Sequence, residues 1–318
     1  MKSYRLEVPA TKKNFDEDGY LAANPDVAEA VRNGQFRSAR QHFKKFGERE
    51  GRRVFVGATE DFVRAKRAKL ARIEPLLRSD MSQRDDPERF DFLTDELRAE
   101  LGMDDSSAES SHEYDQIVLD LFERHADGLV LDVGAGRRPA YFEHVVNFEI
   151  YPFLTTDVRG VAEDLPFVDE SFDAVVSIAV LEHVRDPFRA AAEIVRVLKP
   201  GGELFCCVPF LQPLHGYPHH YYNMTHEGLR NLFDGPLEIE RVDTLETTSP
   251  IWSLTWILRS WADGLAGKAR EEFMDLRVAD LIGDPPDYLD RPWVRELPRE
   301  KNLELASACI VCARKPGG

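Results

Sequence analysis

Leu129-Val130-Leu131-Asp132-Val133-Gly134-Ala135-Gly136-Arg137-Arg138-Pro139 is the stretch whose reading decides the fold. The apolar run 129–133 predicts a short strand buried on both faces. Gly-Ala-Gly ends it where the backbone can turn sharply and approach a ligand without Cβ atoms in the way. A strand opening into such a turn is how a doubly wound α/β sheet forms its ligand crevice. The turn is shared by many nucleotide folds, so the segments that follow carry the rest of the reading.

Downstream, 144–150 reads as a second strand and contains Glu149, 17 residues after Asp132. A carboxylate there can accept hydrogen bonds from both hydroxyls of a ribose. Then come Asp164-Leu-Pro-Phe-Val-Asp-Glu-Ser-Phe-Asp173, a third buried strand at 174–180, and Leu181-Glu182-His183-Val184. Val195-Arg-Val-Leu-Lys-Pro-Gly-Gly-Glu203 closes a helix with Pro and Gly before another apolar strand at 204–208. At these residues the chain resembles the class I S-adenosylmethionine-dependent methyltransferases. Within them it is similar to the methyltransferase type 11 group, whose pattern runs LDVGAG, LPF-x-D-x-SFD, LEHV and RVLKPGG. The resemblance spans residues 111–245 and implies a Rossmann-like, doubly wound, seven-stranded sheet with its last strand antiparallel, and S-adenosyl-L-methionine as cofactor. Carried onto this chain, the implied cofactor contacts are Asp132, Gly134, Ala135, Gly136, Glu149, Ala162, Glu163, Ile178 and Ala179. The chain departs from the commoner pattern at Val161, where an Asp would accept from the adenine amine. Glu163 or Asp164 substitutes for it, or backbone alone serves.

Past the 204–208 strand, His215, His219 and His220 stand among Tyr217, Tyr221 and Tyr222. This loop leaves the strand edge nearest the reacting carbon, so the expected acceptor pocket is here. Imidazoles titrate near neutral pH and suit a base, so His215, His219, His220 and, after the third strand, His183 are the catalytic candidates. The competing readings are a loop that packs under a neighbouring helix and a His183 that caps one. A metal on His215, His219 and His220 lacks an obvious carboxylate or Cys as a further ligand, so no metal is expected.

The chain has 318 residues and a formal net charge of −16, which excludes general nucleic-acid binding, since phosphates would be repelled. The charge is uneven: residues 1–78 hold 18 basic and 11 acidic side chains, a front of opposite sign to the remainder. Such a front is either a solvated surface or a docking face for an acidic protein partner or a membrane surface. The domain expectation is a small helical module at 1–56, a charged helix and linker at 57–110, and the methyltransferase domain at 111–318. A helical insertion at about 251–304 lies before a final strand at 305–313, and another strand falls at 237–243. The four cysteines make no disulfide framework; Cys206, Cys207, Cys309 and Cys312 read as strand core in a reducing, cytoplasmic setting. No run long enough to span a membrane is present. The Trp252, Trp256, Trp261 stripe leaves core, an acceptor channel and peripheral membrane contact open. The expected function is methylation of an oxygen on a glycan, lipid-linked sugar or small metabolite. The alternative is a non-catalytic scaffold that keeps the fold.

Overall fold

The computed structural model describes residues 1–103, 113–216 and 219–310. Tyr217, the polar tract 104–111, Cys312 and the end of the expected final strand therefore lie outside the described residues. The front of the chain folds as β1 (Ser3–Arg5), β2 (Glu7–Pro9), α1 (Glu17–Ala23), α2 (Pro25–Arg32), α3 (Ala39–His42) and β3 (Arg53–Phe55), with a π-helical turn at Phe43–Gly47. Asp16 caps α1 by accepting from Gly19 N, and Pro25 starts α2 where no N–H is needed. This region has its own core, in which Tyr20, Val27, Ala39, Phe43 and Val54 are buried together.

Next come α4 (Glu60–Ile73), β4 (Phe90–Asp91), α5 (Asp95–Leu101), α6 (Gln116–Arg124) and β5 (Val130–Val133). They are followed by β6 (Ala140–Phe142), β7 (Val145–Glu149), β8 (Val158–Arg159), β9 (Phe172–Ile178), α7 (Pro187–Val197) and β10 (Leu198–Cys207). Six strands form one parallel sheet in the order β10-β9-β5-β7-β8-β4. The period of two in each strand splits the core by face. Leu131, Val133, Val146, Phe148 and Val175 face a layer with α7, whose Ala190, Ala191, Ile194 and Val197 are buried. Val130, Val145, Ala174 and Val176 face α6 through Val118, Leu121 and Phe122. Each such fully buried aliphatic or aromatic side chain contributes about 1.5–3 kcal/mol over its exposed state. From β5 the chain winds outward to β7 and β8, then returns to β9 on the other side. The order therefore reverses between β5 and β9, and a crevice opens at their carboxyl ends.

The remaining helices are α8 (His226–Phe233), α9 (Pro250–Gly264), α10 (Gly267–Met274), α11 (Pro292–Arg295) and α12 (Arg299–Glu304). Trp261, Phe273 and Trp293 pack these into a separate apolar cluster with Ala262, Leu265 and Leu297. Among the described residues no helix is long and apolar enough to cross a membrane.

Four expectations change. Residues 237–243 form no strand, only an isolated bridge from Leu237 to Asp234: Leu237 and Ile239 pack on the core while Glu238 and Glu240 stay in solvent. Residues 305–310 form no strand either, so a seventh, antiparallel strand is not present among the described residues. Cys309 is exposed, and is not core. The stretch read as a linker instead supplies β4, because Phe92 and Leu93 are buried there and Asp91 pairs with Arg159 at 2.9 Å. The front is also tied to the sheet region: β1 pairs antiparallel with β6, and Leu6 N and Glu7 N both donate to Pro139 O.

Candidate active site

The crevice at the β5–β9 reversal is a cleft of about 2120 Å³. Its floor begins with the turn after β5. Gly134 (φ +67°) and Gly136 (φ +63°) both lie in the left-handed region. A Cβ on Gly134 would stand 2.3 Å from Val180 Cγ2, so the turn packs directly against the chain leaving β9. A Cβ on Gly136 would meet nothing within 4 Å, because open cleft lies above it. Glu149 fixes the turn: one carboxylate oxygen accepts from Gly136 N at 2.6 Å, the other from Ile150 N and Tyr151 N at 2.8 and 3.2 Å. These bonds hold the Glu149 carboxylate at the edge of the turn, on the lining of the cleft.

Asp132 sits elsewhere than expected. It is fully buried beneath the turn, accepting from Tyr114 Oη and from Arg138 Nη2 at 3.0 Å. Arg138 in turn lies over the Tyr114 ring, 4.0 Å from its centroid. Asp132 thus supports the floor from below and does not line it. Arg138, which does line it, was legible only as the second of two arginines directly after the Gly turn.

Ala135, Ala162, Glu163, Ile178 and Ala179 all line the cleft together with Val161. Ala179 is itself left-handed (φ +55°), held by its N–H to Cys207 O at 2.9 Å. This conformation costs a non-glycine residue about 1–2 kcal/mol. Of the two candidate substitutes near Val161, Asp164 points away to Arg78 at 2.7 Å, while Glu163 borders the cleft and caps the next segment through Arg185 N at 3.0 Å. Cys207, half-buried and also lining the cleft, has its thiol pushed up to about 11 by desolvation.

At the far end the histidines converge, but not all of them. The rings of His183, His215 and His220 lie 4.4–5.5 Å apart between centroids. His219 gives the cluster only its carbonyl, and its ring packs on Tyr221. His220 is spent on the loop: Nδ1 accepts from His215 N at 3.1 Å, and Nε2 meets Asn223 Oδ1 at 3.0 Å. His183 Nδ1 and His215 Nδ1 each face a backbone carbonyl, of His219 at 2.7 Å and of Pro213 at 2.8 Å. A carbonyl only accepts, so each Nδ1 carries the proton and each Nε2 is the nitrogen with the lone pair. Burial holds both rings below the usual imidazole range.

Glu182 completes the cluster and was not singled out among the catalytic candidates. It is 0% exposed, and neither carboxylate oxygen has a hydrogen-bond partner among the described residues. Its Oε1 is 3.6 Å from His183 Nε2, and burial pushes the acid up to about 8. The loop closes over it through Tyr221 N and Tyr222 N, which donate to its backbone carbonyl. Helix α9 flanks the same loop, with Trp256 5.1 Å from the His215 ring.

Residues 131–206 match the family described as a methyltransferase domain. An uncharacterized methyltransferase of Mycobacterium sp. (strain JLS) is 31% identical over 171 residues, covering 46% of this chain and 60% of that protein. The chain thus spans about three fifths of the length of that curated relative. The demethylmenaquinone methyltransferase of Renibacterium salmoninarum is 38% identical over 95 residues, covering 30% of this chain and 34% of that one. A solved structure of a putative methyltransferase from Bacillus halodurans aligns with 55% of this chain and 87% of its own, at 21% identity and a TM-score of 0.33.

Proposed function

We propose, from the premise that this chain carries a class I methyltransferase domain, that it transfers a methyl group from S-adenosylmethionine to an oxygen of a glycan, lipid-linked sugar or small metabolite. The observation that carries the reading is the floor of the cleft. Two left-handed glycines, one with open space where a Cβ would be, lie at the point where the strand order reverses, and a buried carboxylate clips them in place. Such a floor accepts a ligand against bare backbone. When bound there, S-adenosylmethionine supplies a sulfonium methyl, which the lone pair of an acceptor oxygen takes while the carbon–sulfur electron pair stays on sulfur.

The residues of this chain do the positioning. Gly134–Gly136 and Glu149 receive the amino-acid and ribose parts, and Val161, Ala162 and Glu163 border the space for the base. Ile178, Ala179 and Val180 form the edge between that space and the histidine cluster. Holding reactants in line is the main contribution to such a displacement, since the leaving group is already good. His183 and His215 line the acceptor end, each with its Nδ1 proton held by a carbonyl, so that Nε2 is the nitrogen able to accept from a hydroxyl or ligate an ion. Phe210, Leu211, Trp252 and Leu254 line the cleft while exposed, which suits an acceptor with an apolar portion, as in a lipid-linked sugar.

Isothermal calorimetry with S-adenosylmethionine and S-adenosylhomocysteine tests the reading directly. Saturable binding of both is expected; a well-folded chain that binds neither is a scaffold and not an enzyme of this class.

A further inference from the structure

We propose that Glu182, His183 and His215 form a binding site for one divalent first-row transition-metal ion, facing the acceptor end of the cleft. One ligand atom from each residue lies within 4.8 Å of the other two, a spacing an ion can draw together. The donor set is two imidazole nitrogens and one carboxylate, the combination found in open catalytic metal sites with positions left for water or substrate.

Three independent features point to a ligand here. The Glu182 carboxylate is fully buried with both oxygens unpartnered among the described residues. A buried carboxylate left this way is expensive, and native proteins rarely keep one without a partner of some kind. Both imidazoles are held as metal-binding histidines are: the distal Nδ1–H of each is donated to a main-chain carbonyl, which fixes the tautomer and aims Nε2. Third, the loop backbone packs closely on His183 beside Glu182, since a Cβ on Gly216 would stand 2.3 Å from its Cε1. The expectation of no metal considered His215, His219 and His220 and found no carboxylate; here the carboxylate comes from the turn after β9, 33 residues before His215.

His183 and His215 line the cleft, so the ion's remaining positions face the acceptor. An ion held there by Glu182, His183 and His215 would offer its open positions to the acceptor hydroxyl oxygen and lower that hydroxyl's pKa, the proton passing to water. That last role rests on the methyl-transfer reading; the ion site itself does not.

The test uses the full chain after chelator treatment, titrated with Co2+ and with Zn2+. One equivalent is expected, with visible ligand-field absorption for Co2+ that Zn2+ displaces. Removing an outer-shell partner of a metal ligand already weakens affinity 10–100-fold, so Glu182→Gln, His183→Ala and His215→Ala should each lose at least tenfold. His226→Ala, exposed at the start of α8, should change nothing. The ion should also protect His183 and His215 of the unaltered chain from imidazole-modifying reagent, a readout that needs no variant to fold. No saturable Co2+ binding, or binding and protection that ignore both Glu182 and His215, overturns the proposal. Cofactor calorimetry on the metal-free chain separates the two readings. Ion binding without cofactor binding removes the methyl-transfer reading and leaves the site; cofactor binding without ion binding does the reverse.

Discussion

Two buried carboxylates belong to the same sheet region, and they are treated in opposite ways. Just before β8, level with Asn147 of β7, Asp157 is 0% exposed and fully satisfied. It accepts from Lys69 Nζ at 2.9 Å, Asn147 N at 2.9 Å and Tyr141 Oη at 2.6 Å, and Lys69 also lies over the Tyr141 ring. At the carboxyl ends, Glu182 is equally buried and has no hydrogen-bond partner among the described residues. The first arrangement answers all of its own demands and so needs no ligand to explain it; it pins α4 to β7 and β8. The second is left incomplete by the described residues. Burial alone therefore does not set Glu182 apart; having both carboxylate oxygens unpartnered among the described residues does.

The sharpest way to break this contrast is to remove both carboxylates in turn. Asp157→Ala leaves the Lys69 ammonium buried and unpaired, which costs about 3–5 kcal/mol. Glu182→Leu removes a group that nothing compensates, so stability should hold or rise. Urea unfolding of the two variants settles it: equal losses would mean that Glu182 is as structural as Asp157.

The second expected effect is on the pH dependence of stability. Burial lowers Lys69 to about 8 despite Asp157 beside it, from an unfolded value of 10.5. Between these values the unfolded chain binds more protons than the folded one, so on this account stability rises with pH from about 8 to 10.5. The penalty is fully present below 8, and its ceiling is about 3 kcal/mol at 1.36 kcal/mol per pH unit. Chemical denaturation at stepped pH should show the rise in the unaltered chain and not in Lys69→Met. A flat profile in both would place the ammonium in water.

The third concerns the cofactor floor, where satisfied and open groups meet. Glu149→Ala frees three backbone N–H groups at once and removes the ribose acceptor. Calorimetry should show cofactor affinity falling by about 1.5–3 kcal/mol, the range for hydrogen bonds to a charged group. Affinity unchanged in this variant would mean the turn holds itself and another residue meets the ribose. The smallest effect is at Cys207. With its thiol near 11, it is almost wholly protonated at pH 8, so mass spectrometry should find alkylation there far slower than at exposed Cys309. Fast labelling at Cys207 would show that the acceptor wall opens to water.

The central strands and the glycine turn could be read in advance because each carries its own pattern, an unbroken apolar run followed by residues that permit a left-handed turn. β4 could not, since a two-residue strand has no period; its place is set by Asp91 meeting Arg159, 68 residues away. The helical front was legible as a unit with its own core, but its attachment at Pro139 was not, because that contact is made by main-chain atoms. The histidine cluster was visible as a density of ring residues. Which ring faces the cleft was not, for the decision rests on the carbonyls of Pro213 and His219. Glu182 looked like half of a family motif; that both its oxygens lack a partner among the described residues is visible only in three dimensions.

The clip between the front of the chain and the cofactor floor has a mechanical consequence. Glu7 is buried against Arg137, the residue that follows Gly136, and Leu6 and Glu7 hang from Pro139 O. A force applied to the first strand therefore reaches the glycine turn through two or three bonds, without passing through the sheet. Anything that grips or pulls residues 3–7 has a short lever on the floor of the cleft.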